Sequence, residues 1–278
     1  PVDRLANNAE VKAMIAILGL DFDKEYDTVE ERSDLRYGHV MLMTDEDTDG
    51  SHIKGLVINF FRHFWPKILK PAVDEPLGKP FLSSFVTPLL KATRKTKKET
   101  LSFYSMAEYN AWRTSLFNPD ELKQWKIKYY KGLGTSTPAE AKEYFKEYDK
   151  HHRPFLWNSE QDGELLDKVF DKTRAADRRD WISNEYDPEA TLSFDPDHDN
   201  LVTYEDFINK EMIHFSNADN IRSLPNAIDG LKPSQRKVLY ACFKRKLKAE
   251  VKVAQLSGYC AEHTAYRHGE ASLQATSK

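Results

Sequence analysis

The sequence predicts an α/β domain with a largely parallel sheet, followed by a mostly helical domain. Strand and helix patterns alternate up to about residue 148, as they do in an α/β fold. Residues 187–200 include two prolines and four aspartates, a composition typical of a loop. From Thr203 onward the pattern is one of short helices separated by proline and glycine. We therefore expect an α/β domain over residues 1–148, a helical and loop linker over 149–202, and the helical domain over 203–278.

The first strand, loop and helix unit lies at residues 39–64. Residues 39–43 form a short apolar run that predicts a buried strand, and an acidic loop over residues 44–50 follows it. The next apolar residues recur at helical spacing, and Pro66 ends the run. The predicted inward face consists of Ile53, Leu56, Val57, Phe60, Phe61 and Phe64.

Further strands and helices follow this unit. Residues 81–90 and 100–104 predict two strands of a hairpin joined by a basic loop over 91–98, and residues 125–130 predict another strand. Thr137 and Glu140 form a capping box with Pro138 at the first helical position. In the second domain, residues 204–215 and 234–247 predict helices.

The composition is that of a folded chain without a membrane span. The chain has 278 residues, 40% hydrophobic and 31% charged, enough to bury a sizeable core. No apolar run approaches the roughly 18 residues that a membrane helix needs, and no secretory signal pattern opens the sequence. We expect a soluble, non-secreted chain. Cys242 and Cys260 are predicted to be reduced thiols, because Cys260 and His263 have no second ligand pair nearby.

Charge is distributed unevenly along the chain. The net charge is −3, yet residues 231–253 carry eight basic side chains against Glu250 alone. Residues 21–34 are acidic instead, with seven carboxylates against two basic residues. A basic stretch of this kind favours contact with phosphates, and a solvated helix face is the alternative.

The acidic loop carries the first candidate site. Asp45, Asp47 and Asp49 follow a strand and precede a helix, at the sheet edge where α/β folds build sites. Carboxylates so close repel one another unless a hard divalent cation neutralises them, and oxygen ligands suit Mg²⁺. A solvated turn is the alternative. An EF-hand does not fit, because the twelfth position from Asp45 is Leu56, and residues 195–206 match a calcium loop only weakly, which favours a linker there.

Several motifs, in order along nearly the whole chain, resemble the eukaryotic type IIA DNA topoisomerase family. They are LRYG (35–38), MTDEDTDGSHIKG (43–55), YYKGLGTST (129–137), VTYEDFINKE (202–211), NIRSLPN (220–226), DGLKPSQRK (229–237) and AYRHGE (265–270). The first two are similar to the family's Toprim domain, and those after residue 200 to its winged-helix domain. The resemblance implies a Rossmann-like α/β Toprim domain followed by an incomplete, mostly helical winged-helix domain.

The resemblance also implies a function. Members of this family are nuclear, homodimeric isomerases that use ATP to pass one DNA duplex through a transient break in another. Two alternatives remain: another Toprim enzyme, such as a primase or nuclease, which the motifs after residue 200 disfavour, and a DNA-binding module without chemistry. Salt-dependent binding of double-stranded DNA without Mg²⁺-dependent cleavage would fit the module.

Particular residues acquire roles through the resemblance. Asp45, Asp47 and Asp49 would bind Mg²⁺, with Mn²⁺ or Ca²⁺ as substitutes, and Lys131, Arg222 and His268 would act at the cleavage site. The residues implied to contact DNA are Lys232, Gln235, Arg236, Lys237, Tyr266, Arg267 and Gly269. Arg267 departs from the pattern, since many relatives have the first of two histidines there, but its charge still suits phosphate.

The family's pattern extends beyond this sequence at both ends. The glutamate that completes the Toprim metal site would precede Pro1, and the arginine and tyrosine pair that cleaves DNA would follow Lys278. The ATPase domain that uses ATP in the full-length protein would also lie elsewhere. We therefore expect this chain alone not to cleave DNA.

Overall fold

The computed structural model describes residues 7–96, 99–116, 119–130, 136–192, 200–266 and 270–277. The chain divides into two compact units, Pro1–Phe215 and Ser216–Lys278. Four of the candidate residues, Lys131, Arg267, His268 and Gly269, lie outside the described residues, and so do residues 195–199 of the weak calcium-loop match. The predicted segment bounds at residues 148 and 202 stay predictions.

The helices and strands of the described residues are numbered in chain order. The strands are β1 (Val40–Leu42), β2 (Leu82–Phe85), β3 (Leu90–Arg94), β4 (Thr100–Phe103), β5 (Trp125–Tyr129), β6 (His152–Leu156) and β7 (Val202–Thr203). The helices up to residue 185 are α1 (Ala9–Leu18), α2 (Val29–Ser33), α3 (Thr48–Phe64), α4 (Met106–Ser115), α5 (Pro119–Leu122), α6 (Pro138–Lys146), α7 (Tyr148–His151), α8 (Glu160–Phe170) and α9 (Ala175–Glu185). Those that follow are α10 (Tyr204–Phe207), a π-helical turn (Ile208–Met212), α11 (Ile213–Ser223), α12 (Pro233–Lys244), α13 (Val253–Thr264) and α14 (Glu270–Thr276).

Two sheets organise the first unit. The larger has the order β1-β2-β6-β7, in which β1 pairs parallel with β2 and β6 parallel with β7, while β2 and β6 are antiparallel. The smaller sheet, β4-β3-β5, is antiparallel throughout. The predicted α/β class is confirmed, but the sheets are not largely parallel: among the described strands two pairings are parallel and three are antiparallel.

The predicted hairpin is correct in pairing and wrong in extent. Residues 81–90 do not form one strand, because β2 and β3 belong to different sheets. β3 runs on to Arg94, so half of the predicted basic loop is strand and pairs with β4 from Leu90 opposite Phe103 to Thr93 opposite Thr100. β3 is the central strand of its sheet, and its basic residues fit there because their long apolar stems can be buried. The charged ends of Lys91 and Arg94 lie over the rings of Tyr144 and Trp125, so charge alone did not mark the loop.

α3 is the central helix of the first unit, and its buried face matches the predicted one only in part: Phe61 is buried and Val57, Phe60 and Phe64 pack against the core. The buried residues are Gly50, Ser51, Lys54, Gly55, Ile58 and Phe61, whereas the side chains of Ile53 and Leu56 are 52% and 47% exposed. Gly55 lets α3 lie close to α8 and the π-helical turn, because a Cβ there would lie 2.9 Å from Phe170 Cζ and 3.1 Å from Met212 Sδ. The helix therefore approaches α8 and the π-helical turn closely at this glycine, while Phe61 is buried in the core.

The second unit packs three helices around a small core. Ala241 of α12, Leu256 and Cys260 of α13 and Leu273 of α14 are buried against one another. Cys260 lies inside α13, and both cysteines are free thiols as predicted. In the described ranges no helix is long and apolar enough to cross a membrane.

Candidate functional site

The acidic segment leaves β1 after Leu42 and enters α3 at Thr48, as the sequence predicted. Asp47 is the N-cap of α3, and its Oδ1 accepts a hydrogen bond of 2.8 Å from the backbone N–H of Gly50. Asp49 was expected in the loop but lies in the first turn of the helix. A carboxylate at this position is stabilised by the positive end of the helix dipole.

Gly50 fixes how tightly the segment folds onto the helix. A Cβ at this position would lie 1.9 Å from the carbonyl oxygen of Asp45 and 3.1 Å from Thr44 Oγ1. Real side chains do not approach backbone atoms so closely, so only glycine lets the chain before Asp47 fold back over the first turn of α3. The backbone of Asp45 is thereby held beside the helix that carries Asp49.

Two observations make this segment suitable for a hard divalent cation. Its donors are carboxylate oxygens, and the hydroxyl of Thr44 is buried with no hydrogen-bond partner among the described residues, so it can bind a metal-bound water. However, no three His, Cys, Asp or Glu side chains converge as a metal-binding group in the part of the chain that the structure describes. The metal role of Asp45, Asp47 and Asp49 therefore stays a prediction, and a further ligand or a small rearrangement is needed to complete the shell.

A buried ionic network lies directly beneath the acidic segment. The side chain of Lys54 on α3 is 3% exposed, and its Nζ lies 2.9 Å from Glu211 Oε1 on the π-helical turn and 3.9 Å from Glu46 Oε2. Ser51 Oγ donates to the same oxygen of Glu211 at 2.8 Å. Glu46 in turn accepts a hydrogen bond of 2.9 Å from the backbone N–H of Thr87. The network thus ties the acidic segment to the chain after β2 and to the π-helical turn.

Burial and charge act in opposite directions on the protons of this network. Burial raises the pKa of Glu46 to about 7, because the Lys54 charge and the Thr87 N–H offset only part of the cost. For Lys54, burial lowers the pKa, but the two carboxylates outweigh it and the pKa is raised overall. Lys54 is therefore charged at neutral pH and holds two acids together.

Sequence reasoning missed this network. Lys54 and Glu211 both belong to motifs that carried the family resemblance, yet neither was assigned a role. A lysine among apolar helix residues is ordinarily placed on the solvated face, and its partner lies 157 residues away in the chain. The one sequence feature that could have indicated a role for Lys54 and Glu211 is that each lies in a motif shared with the family.

In the second unit, the candidate DNA-binding residues gather at the start of α12. The backbone N–H of Lys232 donates to Gln235 Oε1 at 2.8 Å, so Gln235 helps to begin the helix. Arg236 forms a bidentate pair with Asp229, with Nη2 2.9 Å from Oδ1 and 2.8 Å from Oδ2. The hydrogen bond from the Leu231 N–H, together with Arg236, lowers the pKa of Asp229.

Two further candidates are placed by the same unit. Lys237 Nζ lies 5.7 Å from the centre of the Tyr266 ring, which brings together residues separated in the sequence. Arg222, near the end of α11, has its Nη2 3.1 Å from Asp219 Oδ1. No acidic residue occurs in the first turn of α12, so its dipole and the lysines both favour an anion.

Comparisons with known proteins cover both units. Residues 85–220 match the family described as the C-terminal associated domain of TOPRIM, and residues 222–277 match the family of the DNA gyrase/topoisomerase IV A subunit. The chain is 51% identical to "DNA topoisomerase 2, mitochondrial" of Dictyostelium discoideum, over 98% of this chain and 20% of that protein. It is 47% identical to "DNA topoisomerase 2-beta" of Homo sapiens, over 98% of this chain and 16% of that protein.

A solved structure is also similar. It is described as the DNA-binding, cleavage and re-ligation domain of Plasmodium falciparum topoisomerase II, with a TM-score of 0.77 and 46% identity, over 99% of this chain and 35% of that one. The chain thus shares its fold with part of a topoisomerase II DNA-binding, cleavage and re-ligation domain. The chain belongs to the eukaryotic DNA topoisomerase II family, and it spans about a fifth of the length of the relatives it matches.

Proposed function

We propose that this chain is the metal-binding and DNA-binding part of the cleavage and re-ligation core of an ATP-dependent type II DNA topoisomerase. The observation that carries the proposal is the acidic segment between β1 and α3, within a chain 51% identical over 98% of its length to a DNA topoisomerase 2. The whole protein would change DNA topology by passing one duplex through a transient double-strand break in another.

In this proposal Asp45, Asp47 and Asp49 hold Mg²⁺, for which Mn²⁺ or Ca²⁺ can substitute. The bound ion supplies charge that polarises a phosphate oxygen and stabilises the leaving 3′ oxygen. The chain's own contribution is to hold the carboxylates at the sheet edge: Asp47 caps α3, Gly50 lets the Asp45 backbone fold onto that helix, and Lys54 anchors the segment from below. Lys131 would act in the same reaction.

The second unit would bind the DNA backbone. Lys232 and Lys237 present charge at the start of α12, and the helix dipole adds to the attraction for phosphate. Gln235 and Arg236 support this surface, since one begins the helix and the other fixes the preceding turn through Asp229. Arg222 would stabilise negative charge at the phosphate that is cut, and Tyr266, Arg267, His268 and Gly269 would contact the same region.

The proposal extends to the whole protein. It would act as a homodimer, with ATP used by a part outside this chain, and its compartment would be the nucleus. Since one 51% identical relative is named mitochondrial, fluorescence microscopy of the tagged full-length protein is the direct test of compartment.

The central experiment is relaxation of supercoiled DNA by the full-length protein with ATP and Mg²⁺, compared with Asp47→Asn. Asparagine is also a good N-cap, so this change removes the charge and keeps the start of α3. We expect relaxation and Mg²⁺-dependent cleavage to be lost while DNA binding remains. The matched control is Asp23→Asn, an exposed carboxylate away from the segment, which should relax DNA normally. Failure of a folded, DNA-binding full-length protein to relax DNA would contradict the proposal.

A further inference from the structure

Two histidines meet on one face of the larger sheet, apart from the acidic segment. His39 immediately precedes β1 and His152 begins β6, and β2 lies between these two strands. Their Nε2 atoms are 3.3 Å apart and their ring centres 5.4 Å apart. His39 is exposed and His152 is partly buried, so the pair is accessible from solvent.

Neighbouring groups fix both rings. His39 Nδ1 lies 2.9 Å from the carbonyl oxygen of Pro80, which can only accept, so the proton of neutral His39 is on Nδ1 and the lone pair is on Nε2. The ring of His152 stacks on Tyr148 with centres 4.8 Å apart and an interplanar angle of 21°. An imidazole whose far N–H is held by a carbonyl, with its Nε2 directed at a second imidazole, has the orientation of a metal ligand.

The separation of the two nitrogens matches a shared ion. Zinc-to-nitrogen bonds of about 2.0–2.1 Å at a tetrahedral angle place two ligand nitrogens roughly 3.3 Å apart. The observed separation is 3.3 Å. Ser83 Oγ, 2.6 Å from His39 Nε2, donates to that nitrogen in the free protein. His39 Nε2 has one lone pair, so a bound ion replaces this hydrogen bond and the Ser83 hydroxyl rotates away from the ring.

We propose that His39 and His152 form a binding site for a borderline divalent transition metal ion such as Zn²⁺, with water completing the shell. Imidazole nitrogens select such ions over Mg²⁺ and Ca²⁺, which prefer oxygen, so this site and the acidic segment take different metals. Binding uses the neutral tautomer of His152 that carries its proton on Nδ1, because Nε2 must then offer its lone pair to the ion. The bound ion would link β1 to β6 across β2 and stabilise the first unit against unfolding.

The test is calorimetric titration of Zn²⁺ into the chain, with His39→Gln, His152→Gln and the control His63→Gln, an exposed histidine on α3. We expect the wild type to bind Zn²⁺ saturably. His39→Gln and His152→Gln should each weaken the affinity at least about tenfold, and His63→Gln should leave it unchanged. Zn²⁺ should also raise the Tm of the wild type and the control, but not that of the two variants.

The variants also separate metal binding from folding. Because His152 packs on Tyr148, its replacement can lower stability by itself, so circular dichroism and Tm are measured first without metal. His39→Gln changes an exposed side chain and is the safer variant. Equal Zn²⁺ affinity in wild type and a folded His39→Gln, or no binding by the wild type, would overturn the proposal. Neither result would affect the proposed topoisomerase function, since Mg²⁺ and the acidic segment are not involved.

Discussion

Gly50 shows how a single residue shapes the acidic segment. Replacing it with alanine would place a Cβ 1.9 Å from the Asp45 carbonyl oxygen, so the segment must move away from α3. We expect Gly50→Ala to destabilise the first unit by about 2–4 kcal/mol in urea unfolding. Gly38→Ala is the matched control, because nothing lies within 4 Å of a Cβ there. Equal stability of the two variants would show that the loop adapts without cost.

Lys54 is the second residue whose removal has a defined consequence. Lys54→Ala leaves Glu46 and Glu211 buried without their cation, so we expect a loss of about 3–5 kcal/mol in urea unfolding. Lys54→Met combined with Glu211→Gln fills a similar space and removes both charges of the pair, so it should be more stable than Lys54→Ala, which leaves the Glu211 carboxylate without Lys54. A double-mutant cycle of Lys54→Met and Glu211→Gln measures the coupling energy between the two side chains. Strictly additive effects on the free energy of unfolding would contradict the network.

Among the helices and strands, features that depend on neighbouring residues could be predicted from the sequence. Features that depend on residues far apart in the chain could not. The capping box of Thr137 and Glu140 with Pro138 is confirmed, and so is β5. These depend on residues within a few positions of one another, so the sequence displays them directly. The inward face of α3 was predicted only in part: Phe61 is buried and Val57, Phe60 and Phe64 pack against the core, but Ile53 and Leu56 are exposed. The rest of that face is set by Gly55 against α8 and by Lys54 against Glu211. Neither contact leaves a periodic apolar signal.

The capping box of α6 also carries a pH-dependent contribution to stability. Burial acts to raise the pKa of Glu140, but hydrogen bonds from the Thr137 N–H, the Tyr130 hydroxyl and Lys128 outweigh it and lower the pKa to about 2. An acid whose pKa is lower in the folded state stabilises the fold above its unfolded pKa of about 4.5 and loses that stabilisation as the pH falls towards 2.

We therefore expect Glu140→Gln to lower the free energy of unfolding by about 1–2 kcal/mol at pH 7 and by progressively less below pH 4. Urea unfolding at a series of pH values measures this. Glu143→Gln on the same helix is the control, since that side chain is 65% exposed and its Lys91 partner is 3.7 Å away. If the free energy of unfolding of wild type exceeded that of Glu140→Gln by the same amount at every pH down to 2, the lowered pKa of Glu140 would be refuted.

At the scale of the whole molecule, the average charge of the sequence is misleading. The net charge is −3, yet the basic stretch over residues 231–253 lies in the second unit, which contains α12. The fold class and the location of the acidic segment were predictable from alternating strand and helix patterns. The relation of Lys237 to Tyr266 was not, because it arises from the packing of α12, α13 and α14 around Cys260.

The basic residues concentrated in the second unit predict how the chain binds double-stranded DNA. If α12 presents its lysines to phosphates, the affinity of the chain for DNA should fall linearly with salt on a double-logarithmic plot, without a requirement for Mg²⁺. Lys237→Ala should reduce the slope by about 1, whereas Arg236→Ala should have a smaller direct effect, because its guanidinium is occupied by Asp229. Fluorescence anisotropy with a labelled duplex measures the slopes. Lys12→Ala, an exposed lysine of α1 in the first unit, is the control, and if it reduced the slope as much as Lys237→Ala, the attraction would be general rather than centred on α12.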